Sequence, residues 1–184
     1  MPDTIQERSY LSPELTKSKN EIISIMVFTV EECQRHLENV KALLEELRTS
    51  NPNNIYPSDD AINDLATSVN KTKPLIFSYS VNQGNPTAVT IGVQNKSELD
   101  LRWVISTEPG QGISLVKDSM KKYDKINIKA APYGYKDGEQ ETQFEKIVKY
   151  YKKLGFAKTR DYKDEKYGGT IPMFWQYNKL MGGR

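Results

Sequence analysis

Cysteine and histidine each occur once in the 184 residues, as Cys33 and His36. A single cysteine excludes an internal disulfide and any multi-cysteine metal site. A single histidine leaves no His-rich ligand set and no evident Ser–His or Cys–His pair, so no metal site is expected. Long apolar runs are also missing: none approaches the roughly 20 residues needed to span a bilayer. The polar start MPDTIQERSYLSPELTKSK has no apolar stretch of signal-peptide kind. The expectation is a cytoplasmic protein with no membrane partner. Excess charge is absent as well, with 26 Lys and Arg against 24 Asp and Glu, a net charge of +2 and a pI of about 8.4. That is far from the basicity of a dedicated nucleic-acid binder, and no nucleic-acid partner is expected. Neither the dinucleotide fingerprint GxGxxG nor the phosphate loop GxxxxGK[ST] occurs.

What is present describes a globular chain: 37% hydrophobic, 10% aromatic and 27% charged residues. Its length suits one domain. Residues 1–20 read as a flexible N-terminal arm and 21–184 as a single domain. EIISIMVF (21–28) has the length and β-branching of a strand. Thr29-Val30-Glu31-Glu32 fits a capping box. Val30, Cys33, Leu37, Val40, Leu44 and Leu47 then recur at helical spacing, which places Cys33 on a buried stripe and makes it a core residue. His36 borders the stripe and reads as structural. NPNNIYP breaks this helix, and Ser58 caps a shorter one carrying Ile62, Leu65, Ala66 and Val69. PLIFSYSV (74–81) and TAVTIGV (87–93) flank the turn NQGNP as a hairpin.

LDLRWVIS (99–106) alternates, predicting that Leu99, Leu101, Trp103 and Ile105 share one face, with Asp100, Arg102 and Val104 on the other. Ile113, Val116, Met120 and Tyr123 mark a third helix, and INIKAAP (126–132) another strand. A turn-rich insert, YGYKDGEQE, follows. Thr142-Gln143-Phe144-Glu145 is a second capping box, opening a fourth helix that Gly155 ends. AKTRDY and TIPMFWQY form a last strand pair, in which Pro172 predicts an edge strand or an unpaired point. The element order is β-α-α-β-β-β-α-β-α-β-β.

Two stretches carry chemistry. Gly110-Gln111-Gly112 lies between a strand and a helix, where glycines permit a tight turn and close approach of a ligand. The free amides and positive dipole end of the helix then favour a phosphate. The second stretch is Tyr150-Tyr151-Lys152-Lys153-Leu154-Gly155-Phe156, at the end of the fourth helix. With the strand order, these two motifs resemble those of the GNAT N-acetyltransferases over roughly residues 21–178.

The resemblance implies an α/β (α+β) GNAT fold: a mixed, mostly antiparallel sheet of six to seven strands flanked by four helices. It implies acetyl-CoA or a longer acyl-CoA as acyl donor, bound in a gap between the strands at 99–106 and 126–132. Backbone amides around Gly110, Gln111, Gly112, Ile113 and Ser114 would hold the CoA pyrophosphate. Backbone groups of Trp103, Val104 and Ile105 would run beside the pantetheine arm. Tyr151 matches the tyrosine that protonates the departing thiolate. That chemistry is sound by itself, since a phenol of pKa about 10 beside a thiol of pKa about 8.5 stabilises or protonates its anion. The acceptor would be an amine of a peptide, a protein or a small molecule, acylated directly. Asp100 and Glu108 are the nearest carboxylates in sequence to serve as base.

Two positions depart from the family pattern: Thr107 stands where an Arg or Gln is usual, and Phe144 where an Asn is common. Lys117, Lys121 and Lys122 are candidates to replace the lost phosphate contacts. These departures also motivate an alternative, a catalytically inactive binding protein on the same scaffold.

Overall fold

The computed structural model describes residues 20–159 and 170–178. Strand β1 (Glu21–Val27) leads to α1 (Val30–Ser50), and a two-residue strand β2 (Asn54–Ile55) precedes the short helix α2 (Asp59–Asn63). A 3-10 turn at Asp64–Ser68 continues α2. Strands β3 (Leu75–Asn82), β4 (Asn85–Asn95) and β5 (Glu98–Ser106) follow, then α3 (Gln111–Lys122) and β6 (Lys125–Ala130). The chain continues through β7 (Tyr135–Lys136), α4 (Gln140–Lys153), β8 (Ala157–Lys158) and β9 (Ile171–Gln176).

Seven strands form one sheet in the order β1-β3-β4-β5-β6-β9-β8. Every pairing is antiparallel except β5 with β6. This is the mixed, mostly antiparallel sheet with four flanking helices that the motifs imply. β2 and β7 form a separate two-stranded ladder, which the sequence did not suggest. It ties the linker after α1 to the insert after β6. The arm up to residue 19 and the second half of AKTRDY (160–162) lie outside the described residues.

The caps show how local chemistry sets the helix ends. Thr29 Oγ1 accepts from the Glu32 amide at 3.2 Å, and Ser58 Oγ accepts from Ala61 at 3.2 Å. The second capping box does not form. Helix α4 starts earlier, with Glu139 as an N-cap that makes no side-chain cap bond. A turn in which the Glu139 amide bonds Lys136 O at 3.1 Å runs from β7 straight into the helix, leaving Thr142 inside it. Val30 also departs from its assigned stripe and is 45% exposed. Pro172 sits on a strand flanked by two others, opposite Lys129 of β6. On the β8 side its carbonyl accepts from the Thr159 amide at 2.9 Å, just past the pair of Lys158 with Met173, and its missing N–H forgoes the return bond to Thr159 at the end of that pairing.

The end of α4 explains the YYKKLGF stretch without reference to any ligand. Gly155, at φ +102°, takes the left-handed position after the cap residue Leu154. Its amide bonds Lys152 O at 3.0 Å, and the Phe156 amide bonds Tyr151 O at 3.0 Å. These two reverse bonds define a Schellman motif. The hydrophobic contact that accompanies it is made by Tyr151 and Phe156, whose ring centroids are 5.4 Å apart, edge to face.

Buried side chains form two clusters. One joins α1 and α2 to Phe77, Ile91 and Ile105; the other joins Val116 of α3, Phe144 and Val148 of α4, and Leu99, Leu101 and Ile128. Strand β5 contributes to both because of a bulge. Ile91 faces Trp103 but Gly92 faces Leu101, so Arg102 is an extra residue. The expected single face of Leu99, Leu101, Trp103 and Ile105 is therefore wrong. The bulge reverses the phase after Leu101, and Val104 rather than Trp103 continues the face of Leu101.

Alanine at Gly155 would meet Trp175 Cδ1 at 3.3 Å and would strain a left-handed backbone. Gly155→Ala should destabilise the fold by about 1–2 kcal/mol, read by urea denaturation. Tyr151 packing should loosen with it, visible as a change in near-ultraviolet circular dichroism.

Candidate functional site

Strands β5 and β6 pair over only four residue pairs, from Glu98 with Lys125 to Leu101 with Ile128. Beyond the bulge at Arg102 they diverge. The Thr107 amide donates to Thr87 O at 2.8 Å. Alternation of an antiparallel ladder therefore turns the backbone groups of Val104 and Ser106 away from β4 and into the opening. A cavity of about 490 Å³ fills this opening. Asp100, Trp103 and Val104 line it from β5, Lys129 and Ala130 from β6, and Ile147 and Tyr151 from α4. The stretch after α2 and Thr170 close it. Among the described residues, Thr170 Oγ1 is the one side-chain polar atom fully enclosed from solvent without a hydrogen-bond partner.

Four of the nominated residues thus meet in one place: Asp100, Trp103, Val104 and Tyr151. Tyr151 is 7% exposed, and its hydroxyl has no hydrogen-bond partner among the described residues. Burial, with Tyr150 and Tyr133 beside it, pushes its phenol well above the usual range. It stays protonated near neutrality, a donor and not a base. Asp100 is half-exposed and paired with Arg102 at 3.1 Å. Such an exposed pair contributes little and leaves the carboxylate hydrated. Ile105 is fully buried in the α1 cluster. Glu108 is exposed and lines a different, polar cavity of about 530 Å³ against α1 and the β3–β4 turn. It does not share the opening with Tyr151.

Gly110 to Ser114 form the N-terminus of α3 and do not line the 490 Å³ cavity. Gly110 is the N-cap at φ +81°. The Gln111 amide reaches Glu108 O only at 3.4 Å, and the Ser114 amide returns to Gly110 O at 3.1 Å. The amides of Gly112 and Ile113 have no acceptor among the described residues, which suits an anion at a helix N-terminus. Gly112 is buried, and a Cβ there would lie 3.1 Å from Val104 Cγ1. Its role is close helix–strand contact. The side chain of Gln111 is turned away, accepting from Ser80 Oγ at 2.9 Å.

Of the candidate lysines, Lys121 and Lys122 sit in the last turn of α3, roughly 15 Å along the axis from its N-terminus. Lys122 pairs there with Asp118 at 2.8 Å. Neither lies near the free amides. Phe144 is buried in the core and 3% exposed.

A further residue at the opening is Tyr133, from the loop after β6. Its hydroxyl donates to Val104 O at 2.7 Å across the opening. Burial pushes it up to about 12, opposed by the Ser106 amide at the same oxygen. His36 and Cys33 stand apart. His36 Nδ1 bonds the Tyr79 hydroxyl at 2.7 Å, with its ring over Phe77, and burial lowers its pKa. No group of three or more potential metal ligands occurs among the described residues, and no described helix is long and apolar enough to cross a membrane.

No protein-family model matches this sequence, and no curated protein matches it. Solved structures do match in shape. An acetyltransferase of the GNAT family from Bacteroides thetaiotaomicron aligns with a TM-score of 0.52 at 13% identity, over 86% of this chain and 88% of its own. The ribosomal-protein-S18-alanine N-acetyltransferase of Escherichia coli aligns at 0.51 and 14% identity, over 85% and 93%. An acyl-CoA N-acyltransferase from Pseudomonas aeruginosa aligns at 0.53 and 12% identity, over 84% and 99%. The chain has the GNAT fold.

Cys33 is fully buried and its thiol is pushed up from 9.0 to about 11. It should be inert to a thiol reagent at pH 8 in the folded protein. Reaction should accelerate about 100-fold or more in denaturant, where the thiolate fraction and access are restored. A matched rate in both states would contradict the buried placement.

Proposed function

We propose that this protein is an N-acyltransferase that moves an acyl group from acyl-CoA to an amine by direct transfer. The observation that carries the reading is the opening between β5 and β6. It combines strand backbone without a strand partner, an adjoining helix N-terminus with free amides, and a protonated tyrosine on the opposite wall. An acyl-CoA is an elongated molecule with phosphates at one end, amides along its arm and a thioester at the tip. The α3 amides of Gly112 and Ile113 suit the pyrophosphate. The Val104 and Ser106 backbone suits the amides, and the cavity beside Tyr151 suits the thioester.

In this scheme the amine nitrogen bonds the carbonyl carbon as the carbon–sulfur bond breaks, and Tyr151 hydrogen-bonds the departing sulfur. Asp100 lines the same cavity, as Asp64 also does, and is better placed than Glu108, the other base candidate. Its exposure suits relay through water from an ammonium. Thr170 Oγ1 offers a further hydrogen bond to a polar ligand atom. Acetyl is the default acyl group, and a cavity of about 490 Å³ leaves room for a longer one. The acceptor is an amine of a peptide, a protein or a small molecule, and a cytoplasmic setting suits the donor. The departures at Thr107 and Phe144 favour one other reading, a CoA-binding protein without turnover.

Two experiments separate these. A thioester at 100 times its dissociation constant should stabilise the protein by about 2.7 kcal/mol, seen as a raised melting temperature. No shift with any thioester at millimolar concentration would remove both readings. Tyr151→Phe keeps the ring that packs on Phe156 and deletes a hydroxyl without a partner. Turnover should fall by roughly 10²-fold, with melting temperature and CoA affinity little changed. Full activity in that variant would remove Tyr151 from the chemistry, and CoA binding with no turnover in the parent protein would favour the second reading.

A further inference from the structure

The unpaired edge of β5 is already engaged. Where β6 leaves, the carbonyl of Val104 and the amide of Ser106 face the opening, spaced as a neighbouring strand would require. One side chain meets both: the Tyr133 hydroxyl donates to Val104 O at 2.7 Å and lies against the Ser106 amide. The backbone carrying Tyr133 is held firmly. Pro132 precedes it, the Gly134 amide bonds Ile55 O at 2.6 Å, and Asn54 Nδ2 bonds Gly134 O at 3.2 Å. The Tyr56 ring stands 6.3 Å from that of Tyr133 and closes the far side. The Tyr133 side chain borders the cavity, so it has space to turn while the loop keeps its bonds.

We propose that Tyr133 is a removable stand-in for the missing strand: its hydroxyl holds the Val104 and Ser106 positions that an extended, amide-bearing ligand arm must take, so its displacement sets the affinity for such arms. The inference rests on the acyl-CoA reading, which supplies an arm with secondary amides. A ligand that meets the α3 amides through phosphate alone does not compete with Tyr133. A ligand with the arm does, and exchanges one hydroxyl contact for a donor–acceptor pair along the strand.

The test compares the parent protein with Tyr133→Phe by calorimetry, using free coenzyme A and adenosine 3′,5′-bisphosphate, which has phosphates but no amide arm. The substitution removes a neutral hydrogen bond that the arm must break, so coenzyme A should bind about fivefold tighter. The bisphosphate should bind both proteins alike. In ring-13C-labelled parent protein, the Tyr133 Cζ resonance should move on addition of coenzyme A and stay in place with the bisphosphate. Equal or weaker coenzyme A binding by a folded Tyr133→Phe protein overturns the inference alone. Binding by neither protein overturns the acyl-CoA reading and this inference together. Should the variant fail to fold, the labelled parent decides: an unmoved Tyr133 resonance at saturating coenzyme A overturns the displacement.

Discussion

A backbone amide or carbonyl that loses its strand partner must find another or stay in contact with water, because burying it unpaired costs about as much as a lost hydrogen bond. Strand β5 meets this constraint inside a sheet, where no edge would ordinarily be exposed. Its pairing with β6 stops at Leu101, and the bulge at Arg102 turns the strand. The orphaned groups of Val104 and Ser106 then define the opening. The other features are arranged around that edge: Tyr133 covers it, Tyr151 faces it across a cavity, and α3 begins beside its end.

Two kinds of rigidity hold the opening. Below it, Gly112 lets α3 sit against Val104 and Ser106 with no side chain between. Above it, the β2–β7 ladder joins the linker before α2 to the loop that carries Tyr133. The Schellman end of α4 sets the third wall, since the same two bonds that stop the helix press the Tyr151 ring onto Phe156. Tyr151 is thereby a structural residue through its ring and a free donor through its hydroxyl. These two properties lie on different atoms, so a packing role and a chemical role do not exclude each other.

Three groups away from the opening are accounted for by their surroundings. His36 is committed to Tyr79, and Cys33 is sealed among the apolar side chains of α1. Lys122 is committed to Asp118 and lies within 3.3 Å of Ser24 Oγ. Around the opening stand groups without a partner among the described residues: the Tyr151 hydroxyl and Thr170 Oγ1 at the cavity, and two amides at the start of α3. Buried polar groups without a partner are uncommon in a folded protein, and Thr170 Oγ1 is such a group at the cavity.

Local rules were enough to read most elements from the sequence. Hydrophobic period identified the strands and helices, Thr29 and Ser58 announced their caps, and Gly155 announced the end of α4. Each of these depends on contacts within a few residues, which composition and spacing determine. The second capping box failed because the β2–β7 ladder, a contact between residues about 80 apart, delivers the chain to Glu139 and starts the helix early. The alternation along 99–106 failed because the bulge depends on how β4 and β5 register, not on either strand alone. Tyr151 and the glycines at the α3 N-terminus were legible as motifs. Their distance from each other, the separation of Glu108 from Tyr151, and the bond between Tyr133 and Val104 were not. Local periodicity determines which face a side chain takes; only the tertiary structure decides which backbone groups are left without partners, because pairing is a property of two strands brought together from distant parts of the chain.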